Sequence, residues 1–129
     1  MIVIDASVIL HALIEIRDNS EIQRLLESSG GVIAPHIIDA EVINGIRKNL
    51  RLKTISPERA NFAIGDLQNM PIDRKSTKEF NQRIWELRDN FTPYDATYLA
   101  LAESYGAQLF TRDQKLASAV KAHTKVTLV

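Results

Sequence analysis

An α/β fold, a three-layer sandwich whose central, mostly parallel sheet is flanked by helices, follows from three features of this chain. Short apolar runs at residues 2–4, 32–34, 109–111 and 126–128 have the length of strands. Longer segments with helical apolar spacing and distinct start signals lie between them. The two kinds alternate, as they do when parallel strands are joined by helical crossovers.

The elements follow in order. Residues 2–5 form the first strand, closed by Asp5. Residues 7–16 carry apolar side chains on most faces (Val8, Ile9, Leu10, Leu13, Ile14), which suits a buried helix broken by Asp18-Asn19. Ser20 with Gln23 makes a capping-box pattern for a short helix that ends before Gly30-Gly31. Residues 32–34 are a strand stopped by Pro35. The next helix starts near Asp39 and runs to about Leu52 on the stripe Ile38, Val42, Ile46 and Leu50, with Gly45 either a weak point or a close-packing site. Ser56-Pro57-Glu58 starts another, with proline at the first helical position. Residues 70–73 read as a short strand or a connection. Ser76 with Glu79 opens a helix through Asp89, and Thr92-Pro93 opens one that runs to Ser104 and stops at Gly106. A strand at 109–111, a helix at 114–123 and a last strand at 126–128 complete the chain.

Composition bounds the function. At 129 residues and 45% hydrophobic content, residues 1–129 read as a single domain able to bury a core without staples. The absence of cysteine excludes disulfides, zinc-thiolate sites and thiol catalysis, and suits a reducing compartment. No apolar stretch approaches the ~20 residues that cross a bilayer. The opening residues lack a basic region and reach a charge at Asp5, unlike a signal peptide. A cytoplasmic protein with no membrane partner is expected. Sixteen basic residues balance sixteen acidic ones, so the whole chain is not a strongly basic binder. Setting four acids aside leaves a remainder of +4, with basic residues grouped at Arg47, Lys48, Arg51 and Lys53 and at Arg74, Lys75 and Lys78. Such runs permit RNA binding without requiring it.

Four acids carry the chemistry. Asp5 and Asp113 follow apolar runs, at the strand ends where open α/β sheets bind ligands. Glu41 and Asp95 arrive from the amino-terminal turns of helices. Singly, each has a structural explanation. Asp5 and Asp113 suit helix N-caps, Asp95 completes a box begun by Thr92, and Glu41 suits a surface position. Jointly they make a bed for a divalent cation, because hard cations take oxygen ligands and need few carboxylates. Ser7 and Thr111 stand beside the acids as second-tier candidates, able to bond a metal water or a phosphate, or merely to cap. Thr92 reads as an N-cap, Tyr94 and Tyr98 as packing residues, and Arg112 as a loop arginine near the site.

The residues around these acids resemble the motifs of PIN domains. Val3-Ile4-Asp5-Ala6-Ser7-Val8 resembles the first motif, and Pro35 followed by Glu41-Val42 the second. Tyr94-Asp95-Ala96-Thr97-Tyr98-Leu99-Ala100-Leu101-Ala102, the most specific run, resembles the third, and Leu109-Phe110-Thr111-Arg112-Asp113-Gln114-Lys115-Leu116 the fourth. The resemblance spans nearly the whole chain and, at this length, is strongest to the VapC-type toxins of toxin–antitoxin pairs. It implies a Mg²⁺- or Mn²⁺-dependent endoribonuclease, with Asp5 and Asp95 as the main metal ligands and Glu41 and Asp113 orienting waters or completing a second ion. It further implies an RNA substrate, a cognate antitoxin, contact with DNA only through that antitoxin, and a homodimer.

Rival readings fit less well. Metal-free ribonucleases need a general acid and base, and His11, His36 and His123 have no local pairing. A receiver domain would need an acidic pair at the first strand, and a haloacid-dehalogenase-type phosphatase an aspartate where Ser7 stands. No Walker loop or GxGxxG run occurs. The alternative of another class is a PIN-like partner in a DNA-binding regulatory complex, with weak or no nuclease activity.

Overall fold

The computed structural model describes every residue, Met1–Val129. Its strands are β1 (Ile2–Ile4), β2 (Val32–Pro35), β3 (Asp73–Lys75) and β4 (Gln108–Phe110). Its α-helices are α1 (Ala6–Leu10), α2 (Ser20–Ser28), α3 (Ile37–Arg51), α4 (Pro57–Asn69), α5 (Asn81–Glu86), α6 (Pro93–Tyr105) and α7 (Gln114–His123). The four strands pair in the order β3-β2-β1-β4, and every pairing is parallel. Ile2 lies opposite Val32 on one side and Gln108 on the other.

This order places the site. From β1 the chain winds to β2 and β3 in one direction, then crosses back to lay β4 against the other side of β1. Right-handed crossovers in opposite directions put their helices on opposite faces. The reversal leaves a crevice between the carboxyl ends of β1 and β4, where α/β folds bind ligands. The central strands β1 and β2 are wholly buried, as strands covered on both faces must be. At the edge, β3 carries Asp73, Arg74 and Lys75, whose charges suit an unpaired flank.

Several element boundaries differ from the sequence expectation. The first helix is a single α turn and a half that widens into a π segment, His11–Glu15, ending at Arg17 with φ of 52°. Asp18, rather than a Ser20–Gln23 box, organises the start of α2, accepting from Ser20 N and Ser20 Oγ at 2.9 Å each. Pro35 is the last residue of β2 rather than the residue that stops it. The helix expected near Asp39 starts at Ile37, because His36 already has helical angles (φ −54°, ψ −30°). The Ser76–Glu79 box is not used. A 3₁₀ turn, Lys78–Phe80, leads into the shorter α5, and a turn follows. Residues 126–128 contribute only one bridge, Leu128 to Leu109. No helix is long and apolar enough to cross a membrane.

Gly45 settles as a close-packing position. A Cβ there would overlap both terminal methyls of Leu10, so its bareness lets α1 press onto α3. That approach sets the position of Glu41, one turn earlier on α3, relative to Asp5 at the head of α1.

Candidate active site

Asp5 lies at the carboxyl end of β1, only 6% exposed, and is the one buried charged residue of the chain. Leaving β1 in extended geometry, it caps α1. Its Oδ1 accepts from Ser7 N at 3.1 Å and from Ser7 Oγ at 2.5 Å, and its Oδ2 accepts from the Thr111 hydroxyl. Burial raises its pKa above the usual carboxylate value, and the Ser7 and Thr111 bonds offset part of that rise. A carboxylate has about four lone-pair positions, so three accepted bonds leave Asp5 with capacity for one more partner.

Thr111 stands just past β4. Its Oγ1 accepts from Asp113 N at 3.0 Å, while Ser7 Oγ accepts from Arg112 N at 2.8 Å. Asp5, Ser7 and Thr111 thus tie the ends of β1 and β4 together across the crevice. Asp113 itself caps α7, accepting from Lys115 N at 3.0 Å and Leu116 N at 3.2 Å. Capping therefore fixes Asp5 and Asp113 in place without consuming all their acceptor capacity.

Asp95 occupies the third position of α6, whose cap Thr92 accepts from Asp95 N at 3.2 Å. Its pKa is raised, first by burial and then by the negative charges of Asp113, Glu41 and Asp5, with a Thr92 hydrogen bond opposing. Asp95 therefore lies close enough to the other three acids to feel their charge. Glu41 comes from the second turn of α3, not the first, because the helix begins two residues earlier than its sequence suggested. Its Oε1 accepts from the buried Tyr98 hydroxyl at 2.5 Å.

No arginine, lysine or histidine pairs with any of these acids. The ion pairs lie elsewhere: Arg74–Asp39, Lys75–Asp73, Arg83–Glu86, Arg83–Glu103, Arg112–Glu21 and His11–Glu15. Clustered carboxylates without cations are held at an electrostatic cost, and an all-oxygen donor set of this kind fits a hard divalent cation. No three acids or histidines stand in direct ligating arrangement, so a cation here would be held in part through water. Neither the cavity of about 240 Å³ at Arg17, Arg59 and Asp66 nor the one of about 500 Å³ at Phe62 and Gly65 includes any of the four.

The neighbouring residues refine the sequence reading. Arg112 reaches Glu21 on α2 at 2.9 Å. Arg74 is structural: it forks onto Asp39 and donates to the carbonyls of Leu67, Met70 and Ile72. Lys75 is paired with Asp73. Arg47, Lys48, Arg51 and Lys53 by contrast are exposed and unpaired. Tyr94 is 57% exposed and so does not pack, whereas Tyr98 is buried and also bonded to Glu41. Sequence reasoning missed that second role. The only available signal was Tyr98's place one turn after Asp95, on the same helix face.

The chain belongs to the PIN domain family, whose model matches residues 2–122. It is 32% identical to the VapC ribonuclease Mb0985 of Mycobacterium bovis, over 100% of this chain and 98% of that protein. Among solved structures, PAE2754 from Pyrobaculum aerophilum superposes with a TM-score of 0.69 at 22% identity, covering 98% of this chain and 81% of that one. A toxin–antitoxin complex from Klebsiella pneumoniae contains a chain that matches with a TM-score of 0.58 at 23% identity, covering 89% of this chain and 88% of that one.

Proposed function

We propose that this chain is the toxin of a toxin–antitoxin pair, an endoribonuclease that hydrolyses RNA phosphodiesters with Mg²⁺ or Mn²⁺. The observation that carries the reading is the gathering of Asp113, Glu41 and Asp5 around Asp95 near the switch point of the sheet, with none of the four in an ion pair. Full-length similarity to a VapC ribonuclease supports the reaction class, and the fold shared with a toxin–antitoxin complex supports the antitoxin partner.

Asp5 and Asp95 would hold the cation, with Glu41 and Asp113 orienting its waters or completing a second site. A bound divalent cation brings a water to hydroxide near neutral pH and offsets charge on the phosphate oxygens. The chain's own residues do the rest. Ser7 and Thr111 fix the Asp5 carboxylate by three donated hydrogen bonds and leave it acceptor capacity for a further partner. Capping by Asp113 rigidifies the start of α7 beside it. The exposed basic face of α3, Arg47, Lys48 and Arg51, with Lys53 beyond it, would hold the RNA backbone, since phosphate contacts set affinity more than sequence choice. A homodimer would align two such faces along one RNA.

The test is cleavage of transfer, ribosomal and messenger RNA by the purified protein with either ion. Cleavage that needs the ion and disappears in Asp95→Asn is the expected result. Binding to an antitoxin–DNA complex with no cleavage of any RNA would favour the regulatory-partner reading instead.

A further inference from the structure

The Tyr98 hydroxyl is buried, with the residue 1% exposed, and its one hydrogen bond is to Glu41 Oε1 at 2.5 Å. Burying a phenol is costly unless its hydroxyl is partnered, so Glu41 satisfies Tyr98 as much as Tyr98 restrains Glu41. The two residues come from different crossovers, Glu41 from α3 after β2 and Tyr98 from α6 before β4. Tyr98 also stands three residues after Asp95, on the same face of α6. One helix therefore supplies a carboxylate of the site and the donor that fixes a second carboxylate on another helix. Glu41 makes no other side-chain hydrogen bond and no ion pair, and its long side chain has three rotatable bonds. Tyr98 is thus its one hydrogen-bonding restraint.

We propose that Tyr98 is a positioning residue of the metal site. It holds Oε1 of Glu41 by donation and leaves Oε2 as the oxygen offered to the cation or its water. The inference rests on the metal-nuclease reading above. Outer-layer hydrogen bonds to ligating carboxylates characteristically govern metal affinity, and their loss costs about 10–100-fold.

The test is direct Mn²⁺ binding, followed by electron paramagnetic resonance of the free ion, on the wild-type protein and on Tyr98→Phe, Glu41→Ala and the double variant. Circular dichroism and Tm establish that each is folded. Tyr98→Phe is expected to weaken Mn²⁺ binding by about 10–100-fold and to have no further effect once Glu41 is alanine. If the phenylalanine protein fails to fold, Tyr98→Met, which fills the space flexibly but also lacks the hydroxyl, is measured in its place, with the same expected loss. Unchanged Mn²⁺ affinity in the folded variant would overturn the proposal. So would an equal loss in the Glu41→Ala background, which would make Tyr98 a packing residue only. A wild-type protein that binds no Mn²⁺ would instead overturn the metal-nuclease reading itself, an outcome distinct from both.

Discussion

Thr111, at the end of β4, donates its hydroxyl to Asp5 Oδ2 at the end of β1, across 106 positions of sequence. The same Thr111 oxygen accepts the backbone N–H of Asp113. A single hydroxyl thus links two acids of the site and closes the crevice at the point where strand order reverses. Asp5 is held from both sides, by Ser7 from its own helix and by Thr111 from the neighbouring strand.

Asp5 therefore has separable structural and chemical roles. Asp5→Asn keeps an oxygen to cap α1 and is expected to fold normally while losing cleavage. Asp5→Ala loses the cap and leaves two hydroxyls without their acceptor, costing about 1–2 kcal/mol. Urea unfolding of both variants beside an RNA cleavage assay distinguishes these outcomes.

Asp95 has a raised pKa, which gives a pH dependence of defined sign. Its native-state pKa exceeds the usual 3.8, so between the two values the folded protein holds more protons than the unfolded one. Without metal, that contribution to stability falls as pH rises through the native pKa, and the penalty persists at neutral pH. Asp95→Asn is expected to stabilise the metal-free protein at pH 7 and to flatten this part of its pH–stability profile. Thermal unfolding in EDTA from pH 4 to pH 7 is the check.

The basic residues divide into two kinds. Arg74→Ala removes the fork onto Asp39 and three carbonyl contacts, and is expected to cost about 1–3 kcal/mol in stability without changing the salt dependence of RNA binding. Arg51→Ala is expected to leave stability within ~0.5 kcal/mol while weakening RNA binding and reducing its salt slope by about one. Binding titrations at several salt concentrations measure the second effect.

Gly45→Ala places a methyl against the terminal methyls of Leu10, which must turn aside, while alanine favours the α3 interior by about 1 kcal/mol over glycine, so a net change within about 1 kcal/mol is expected. Combined with Leu10→Ala, which opens the space, the same change should become stabilising. Denaturant unfolding of the four proteins gives that coupling directly.

What was legible in the sequence was mostly local. Thr92-Pro93 and Ser56-Pro57 announce α6 and α4 because cap and first residue are adjacent and their chemistry is position-specific. The runs that became β1 and β2 stand out because strands at the centre of a parallel sheet are apolar on both faces. Asp5, Asp95 and Asp113 stand at element starts or strand ends, where local rules single them out, whereas Glu41 sits in the second turn of α3 and has no such marker. The start of α3 was not legible, since His36 turns directly from β2 into helix without a side-chain cap. Nor was α5, where Ser76 and Glu79 match a capping pattern but the chain forms a 3₁₀ turn after Thr77. The Tyr98–Glu41 bond joins residues 57 positions apart, and no local rule signals a contact of that range.

The central claim is that the four carboxylates form a metal-dependent nuclease site, and RNA cleavage by the purified chain tests it most directly. The assay compares Mg²⁺ or Mn²⁺ with EDTA, and the wild-type protein with Asp95→Asn. Cleavage that requires the ion and disappears in the variant is the predicted result. Cleavage that persists in EDTA and in Asp95→Asn would contradict the account and assign the chemistry to other residues.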